Sequence, residues 1–169
     1  MSVDNDKGST WAVWDLHIHT PDSIVQSYPG GTDQERWESF ISDLEALPES
    51  FKAIGINDYM FLDGYRKVLQ YKKTGRLKNI ELILPVIELR IKAFAGSEGG
   101  MSKVNLHVIF DSELSAEQIE AGFLHSLSMK YQLTDTGKHN FNSVLTKDSL
   151  SQLGEKIRLS TPADKQGAL

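Results

Sequence analysis

Two histidines separated by one residue, with an aspartate two positions earlier, are the side chains of this sequence best suited to hold a metal ion. The polar set is Asp15, His17 and His19, and it alternates with Trp14, Leu16 and Ile18. Successive side chains of a β-strand point to opposite faces, so a strand here puts the polar set on one face. Imidazole and carboxylate groups suit zinc, manganese or iron. A plain strand with two surface histidines is the alternative.

Later strand-like segments deliver more side chains of the same kind. Asp58 follows the run 51–57, Glu88 follows the run 80–87, and His107 follows the run 103–106. In a barrel of parallel strands, the strand ends of one face share one site. We therefore expect four successive strands to converge on one metal centre. For each residue a structural role is the alternative: a capping carboxylate for Asp15, a solvent-facing Glu88, and a backbone-bonded His107.

The order and spacing of these motifs over residues 11–110 resemble the PHP (polymerase and histidinol phosphatase) domain, a superfamily of metal-dependent phosphoesterases. Four segments carry the resemblance: 15–20 (Asp-Leu-His-Ile-His-Thr), 54–59, 84–88 and 106–109. The first is most similar to PHP domains that precede an ABC or SMC-like ATPase domain in large bacterial proteins. The resemblance implies an α/β fold, namely a partial, distorted (β/α)7-type PHP barrel with parallel strands.

The resemblance also implies a role for each candidate residue. The expected metal ligands are His17, His19, Glu88 and His107, with Glu88 able to serve two ions. Asp15 and Asp58 are the expected supporting catalytic groups, Asp15 by orienting an imidazole. In such a centre the ions, zinc, manganese or iron, lower the pKa of a bound water and hold phosphate oxygens during in-line attack. The expected substrate is a phosphomonoester, a nucleotide or a nucleic-acid phosphate.

The sequence departs from the family pattern in three places, and two of these departures, at Tyr59 and in the late motifs, support a second hypothesis. Tyr59 stands where histidine is usual, and Val86 replaces a customary glycine. The late motifs of the family, an Ala-His-Pro-like run and an Asp-x-His, have no counterpart in residues 111–169; His125 and His139 are weak substitutes. The alternative is therefore a non-catalytic PHP-like module that packs against or regulates an ATPase domain. No P-loop pattern occurs in the sequence itself.

The composition and length limit the partners, the metal ligands and the domain size that we expect. The 169 residues carry a net charge of -5, which argues against a surface devoted to phosphate-backbone binding without excluding nucleic acid. The sequence has no cysteine, so a metal must be held by imidazole and carboxylate. Neither a signal peptide nor a membrane span is recognisable, so we expect a cytoplasmic protein without a membrane partner. A complete barrel typically needs ~200 residues, so the length favours a portion of one.

The elements that must position these residues can be read from local patterns. Strands are predicted over 11–19, 51–57, 80–91 and 103–110, with Pro85 making the third an edge, bulged or irregular strand. Helices are predicted from a capping box at Thr32, over 62–74 with Gly75 as C-cap, over 115–129, and within 144–159. The expected organisation is a disordered lead-in over 1–10, a PHP-like domain over 11–159 and a flexible tail over 160–169.

Overall fold

The computed structural model describes residues 11–24, 26–97, 100–132 and 140–163 of the chain, which divides into two compact units at Ala116/Glu117. The first unit contains β1 (Val13–Ile18), α1 (Asp33–Glu45), β2 (Phe51–Ile56), α2 (Asp63–Lys73), β3 (Leu82–Ser97) and β4 (Gly100–Ile109). Helix α3 (Ala116–Gly122) begins at the boundary. The second unit continues with a 3-10 turn (Leu124–Ser126), β5 (Ser128–Gln132), β6 (Asn140–Val144) and α4 (Lys147–Ser160).

The first unit is built on an open four-stranded sheet in the order β1-β2-β3-β4. Strands β1, β2 and β3 are parallel and are joined through α1 and α2, so the predicted α/β class is confirmed. The expectation of parallel strands is wrong for β4, which runs antiparallel to β3. Parallel neighbours need a crossover of roughly a dozen residues, and only two positions separate Ser97 from Gly100.

Pro85 lies inside a central strand, where the sequence predicted an edge or an irregularity. Strand β3 pairs with β2 through Leu82–Pro85 and with β4 from Val86 onward. Pro85, which has no N–H to donate, therefore lies where the pairing of β3 with β2 ends and its pairing with β4 begins. The Pro85 carbonyl accepts a hydrogen bond from Phe110 N at 3.0 Å. The register shift of β3 lies farther along, between Arg90 and Phe94.

Helix α1 begins as its sequence predicts. Thr32 accepts a hydrogen bond from Glu35 N at 3.2 Å, and the Glu35 carboxylate accepts one from Thr32 N at 3.0 Å. This capping box satisfies donors at the helix start that have no partner within the helix. The apolar stripe of α1 is buried in the core together with residues of β2, α2 and β3: Trp37, Phe40, Ile41, Leu44, Ile54, Ile56, Tyr65, Val68 and Ile87. The strands β2 and β3 thus share a buried apolar core with α1 and α2.

Helix α2 closely matches its predicted span, and Gly75 follows it with a φ of 91°. The helix predicted over 115–129 is much shorter, because α3 ends at Gly122, a residue that destabilises helices, and β5 follows from Ser128. Strands β5 and β6 form a separate antiparallel pair. Helix α4 begins at a capping box formed by Thr146 and Ser149, which confirms a helix in 144–159.

Two of the predicted chain segments fall largely outside the described residues. The lead-in 1–10 lies there entirely, as does 164–169 of the predicted tail, whereas Ser160 is the last residue of α4. Within the described residues, every helix is too short or too polar to cross a lipid bilayer.

Candidate metal site

His17 lies on a β-bulge of β1. The pairing register with β2 shifts between Asp15 and Ile18, so more residues of β1 than of β2 span this stretch. Asp15 Oδ1 accepts a hydrogen bond from the main-chain N–H of His17 at 3.0 Å. Asp15 therefore holds the backbone of the bulge, whereas the expectation was that it orients an imidazole ring. A bulge re-aims a side chain, and here it interrupts the strict alternation predicted from the sequence.

Gly55 on β2 makes room for this bulge. A Cβ at position 55 would lie 2.8 Å from Leu16 Cα and 2.8 Å from Val86 Cγ2, closer than real Cβ atoms approach. The side chain of Val86 fills the space that Gly55 leaves. A close backbone approach is thus found at Gly55, on the strand next to the one that carries Val86.

His17, His19 and Glu88 form one compact group of donor atoms. His17 Nε2 lies 3.1 Å from His19 Nε2, and these two atoms lie 3.4 and 3.9 Å from Glu88 Oε2. A point equidistant from the three atoms is about 2.0 Å from each, which matches zinc–nitrogen and zinc–oxygen bonds of ~2.0 to 2.2 Å. These separations are compatible with one ion held by the three side chains.

His107 approaches the same carboxylate oxygen from β4. It stands opposite Glu88 in the antiparallel pair, with Nε2 at 3.7 Å from Glu88 Oε2. Its ring meets the His17 ring edge-on at a centroid distance of 4.6 Å. His107 Nε2 is buried and has no hydrogen-bond partner in the described part of the chain. A buried polar atom of this kind calls for a partner such as an ion.

Two carboxamides that the sequence analysis missed hold Glu88, whose side chain is only 3% exposed. Asn57 Nδ2 donates to Oε2 at 3.0 Å, and Asn105 Nδ2 donates to Oε1. The main-chain N–H of Glu88 donates to Tyr59 O at 2.8 Å. The sequence signal that could have identified Asn105 is its position two residues before His107, which puts it on the same strand face.

Asp58 is placed beside the β1–α1 loop, outside the group of donors. Thr20 donates to it twice, from N to Oδ1 at 2.7 Å and from Oγ1 to Oδ2 at 2.5 Å. Burial raises the pKa of the Asp58 carboxyl, and the two Thr20 hydrogen bonds oppose that rise. A side chain at Gly64 would collide with the same carboxylate. Asp58 therefore anchors the residue that follows His19.

Several contacts fix the His19 ring and its backbone. Tyr59 stacks on the imidazole at a centroid distance of 5.1 Å, from a left-handed backbone conformation with φ of 59°. Ser23 Oγ lies 3.4 Å from His19 Nδ1, which leaves Nε2 to face Glu88. Tyr28 Oη donates to the His19 carbonyl at 2.8 Å. Contacts of this kind orient a metal-binding imidazole in known centres.

His125 is exposed in the short 3-10 turn of the second unit, and His139 lies outside the described residues.

Fold and site together define an α/β protein with a His/Glu group that can hold a metal ion, formed by His17 and His19 at the carboxyl end of β1 and by Glu88 within β3. Comparisons with models of protein families, with curated proteins and with solved structures find no match to this chain. The functional argument therefore depends on the geometry of the site.

Proposed function

We propose that this chain is a metal-dependent phosphoesterase of the PHP type. One observation carries the proposal: three imidazole Nε2 atoms surround a single buried carboxylate oxygen, Glu88 Oε2, at 3.4 to 3.9 Å. Imidazoles and a carboxylate in this arrangement are a donor set for zinc, manganese or iron. The phosphate-ester substrate is inferred from the order of the motifs, which resembles that of PHP domains.

The accessibility of the site favours catalysis over a purely structural ion. The side chain of His17 is 47% exposed, whereas that of Glu88 beneath it is 3% exposed. Structural metal sites are closed by protein ligands, and catalytic ones keep a position open to water or substrate. A phosphate group can therefore approach from the side of His17, while Glu88 stays shielded by its neighbours.

A divalent cation bound here supplies Lewis-acid polarisation of phosphate oxygens and of nearby water. The residues of the chain supply position and charge. Glu88 contributes a buried negative charge, while Ser23 and Tyr59 fix the ring of His19. Asp15 fixes the bulge from which His17 extends. This preorganisation limits the reorganisation needed when a substrate binds.

The finer fold assignment is part of the same proposal. The unit β1-α1-β2-α2-β3, with candidate residues at and after the ends of β1 and β2, is consistent with the first portion of a distorted (β/α)7 barrel. An ATPase domain is the proposed partner, by the resemblance of residues 15–20 to ATPase-linked PHP domains. A phosphomonoester, a nucleotide or a nucleic-acid phosphate remains the proposed substrate class.

A non-catalytic module is the second candidate, and one observation favours it. Both oxygens of Asp58 are taken by Thr20, and Tyr59 stacks on His19 where the family pattern has an imidazole. Asp58 and Tyr59, which stand at two positions of the family site, therefore make contacts that stabilise the local fold. A module that binds a metal without hydrolysing phosphate esters would retain the geometry around Glu88.

The deciding experiment measures bound metal and hydrolysis on the same protein. The chain is stripped with a chelator and reloaded with Zn²⁺ or Mn²⁺, and its activity is assayed on p-nitrophenyl phosphate and bis-p-nitrophenyl phosphate. We expect metal-dependent hydrolysis of at least one ester, lost in His19→Ala and kept in the control His125→Ala. Metal binding without hydrolysis of either ester would favour the module, and an absence of metal binding would refute the phosphoesterase.

A further inference from the structure

We propose that Asn57 and Asn105 hold Glu88 as the ligand of one cation, so that each chain binds a single divalent ion at this site. The inference rests on the proposed metal site and adds its stoichiometry and two positioning residues. It differs from the sequence expectation, in which Glu88 can bridge two ions.

The two oxygens of Glu88 have different surroundings. Oε2 faces the Nε2 atoms of all three histidines, at 3.4, 3.9 and 3.7 Å. Oε1 accepts a hydrogen bond from Asn105 Nδ2. A bridging carboxylate presents one oxygen to each of two ions ~3.5 to 4 Å apart. In Glu88 the three imidazoles face Oε2, whereas Oε1 is held by Asn105, so the carboxylate presents one oxygen to one ion.

The carboxylate of Asp58, close to the site, is already hydrogen-bonded through both oxygens. Asp58 accepts two hydrogen bonds from Thr20, and Gly64 closes the space around its carboxylate. Tyr59 stacks on His19 and brings no imidazole. In the described part of the chain, His17, His19 and Glu88 are the group of three or more His, Asp or Glu side chains that can hold an ion. Among the described residues, a second ion has no comparable set of donors.

Asn57 gives the carboxylate its second support. Its residue is fully buried, and its Nδ2 donates to the same oxygen that the histidines face. Its Oδ1 is buried without a hydrogen-bond partner among the described residues, so the bond to Glu88 orients the side chain. Hydrogen-bonded neighbours of metal ligands typically change affinity by about 10 to 100-fold when they are removed.

The test measures stoichiometry and affinity on the full chain. Metal-free protein is titrated with Co²⁺, followed by visible absorption, and with Zn²⁺, followed by calorimetry. We expect both titrations to end at one equivalent. Asn105→Ala, a change at an exposed residue, should keep one equivalent, weaken Zn²⁺ binding about 10 to 100-fold and alter the Co²⁺ spectrum. Far-UV circular dichroism should show unchanged folding.

The matched control is Asn79→Ala, which removes a carboxamide that donates to Leu44 O in another part of the unit. It should bind Zn²⁺ with wild-type affinity and the wild-type Co²⁺ spectrum. Two equivalents in the wild-type protein would overturn the single-ion inference and leave the metal site intact. Wild-type affinity and spectrum in Asn105→Ala would overturn the role of that residue. Absence of any Co²⁺ or Zn²⁺ binding would overturn the proposed metal site as well.

Discussion

His107 and Glu88 stand directly opposite each other in the antiparallel pair of β3 and β4, with His107 Nε2 3.7 Å from Glu88 Oε2. Directly opposed residues of an antiparallel pair share a face of the sheet. A hairpin, rather than a further parallel strand, therefore brings this imidazole to the site. A slip of one residue in the register would turn His107 to the other face.

Replacing His107 by alanine should weaken Zn²⁺ binding about tenfold, and replacing His19 should weaken it more. His19 belongs to the compact group with His17 and Glu88, whereas His107 adds a donor at its border. Calorimetric titration of the two variants gives the comparison. An equal or larger loss for His107→Ala would contradict this ranking of the two histidines.

Gly55→Ala should destabilise the fold by about 1 to 3 kcal/mol, because overpacking forces the backbone to move. The new Cβ would lie 2.8 Å from Leu16 Cα, so the bulge that carries His17 must shift and Zn²⁺ affinity should fall. Urea unfolding and metal titration measure the two effects. Gly154→Ala in α4 is the control: a Cβ there meets nothing within 4 Å, and stability should be equal or higher.

The sequence predicted much of the scaffold of the first unit, because its signals there are local. The capping box at Thr32 and the apolar spacing of α1 depend on residues three or four positions apart. The three parallel strands follow from apolar runs separated by helices. The fourth strand was predicted over 103–110, but its antiparallel direction was missed, because the third strand was predicted to end at 91 whereas β3 continues through Ala95 and Gly96.

The candidate site was predictable only in part, for a related physical reason. Charged or titratable side chains at strand ends stand out in a sequence, and the structure brings His17, His19 and Glu88 together. Asn57 and Asn105 are neutral. Strand alternation puts Asn105 on the face of His107, but the contact of either amide with Glu88 depends on pairing across strands, which local patterns do not encode. The bulge at His17 likewise depends on Gly55, about 38 positions away, and long-range contacts of this kind need the folded chain.

Tyr59→Phe should preserve Zn²⁺ affinity, and Tyr59→Gly should lower it. Phenylalanine keeps a ring to stack on His19, whereas glycine removes the ring. Glycine also relieves the left-handed conformation of this residue, which costs a non-glycine residue about 1 kcal/mol or more. A glycine variant that is equally or more stable in urea, yet binds Zn²⁺ more weakly, would separate the two roles. Unchanged affinity in both variants would contradict a role in fixing His19.

Glu45→Gln should destabilise the fold near neutral pH by about 1 kcal/mol or less, since the group is partly exposed and screened. Hydrogen bonds from the Arg76 guanidinium and from Leu77 N hold the pKa of Glu45 below its usual value. A lowered pKa means that the stabilisation is complete above about pH 4.3, the usual glutamate value, and is lost as the pH falls through the lowered pKa. Urea unfolding from pH 7 to 3 should show the two proteins converging. A difference that grows in acid would contradict the assignment.

Asp15→Asn should leave most metal-dependent activity and affinity, and Asp15→Ala should remove much of both. In the structure Asp15 Oδ1 accepts the N–H of His17, and asparagine keeps an oxygen at that position, whereas alanine leaves the bulge unsupported. The alanine variant should also lose about 1 kcal/mol of stability, the typical contribution of one hydrogen bond. His17→Ala, which deletes a proposed ligand, should abolish hydrolysis and keep the fold. Parallel measurements of phosphate-ester hydrolysis, Zn²⁺ affinity and urea unfolding distinguish these outcomes. If asparagine is as damaging as alanine while stability is unchanged, the charge of Asp15 takes part in the chemistry, and its role is more than support of the bulge.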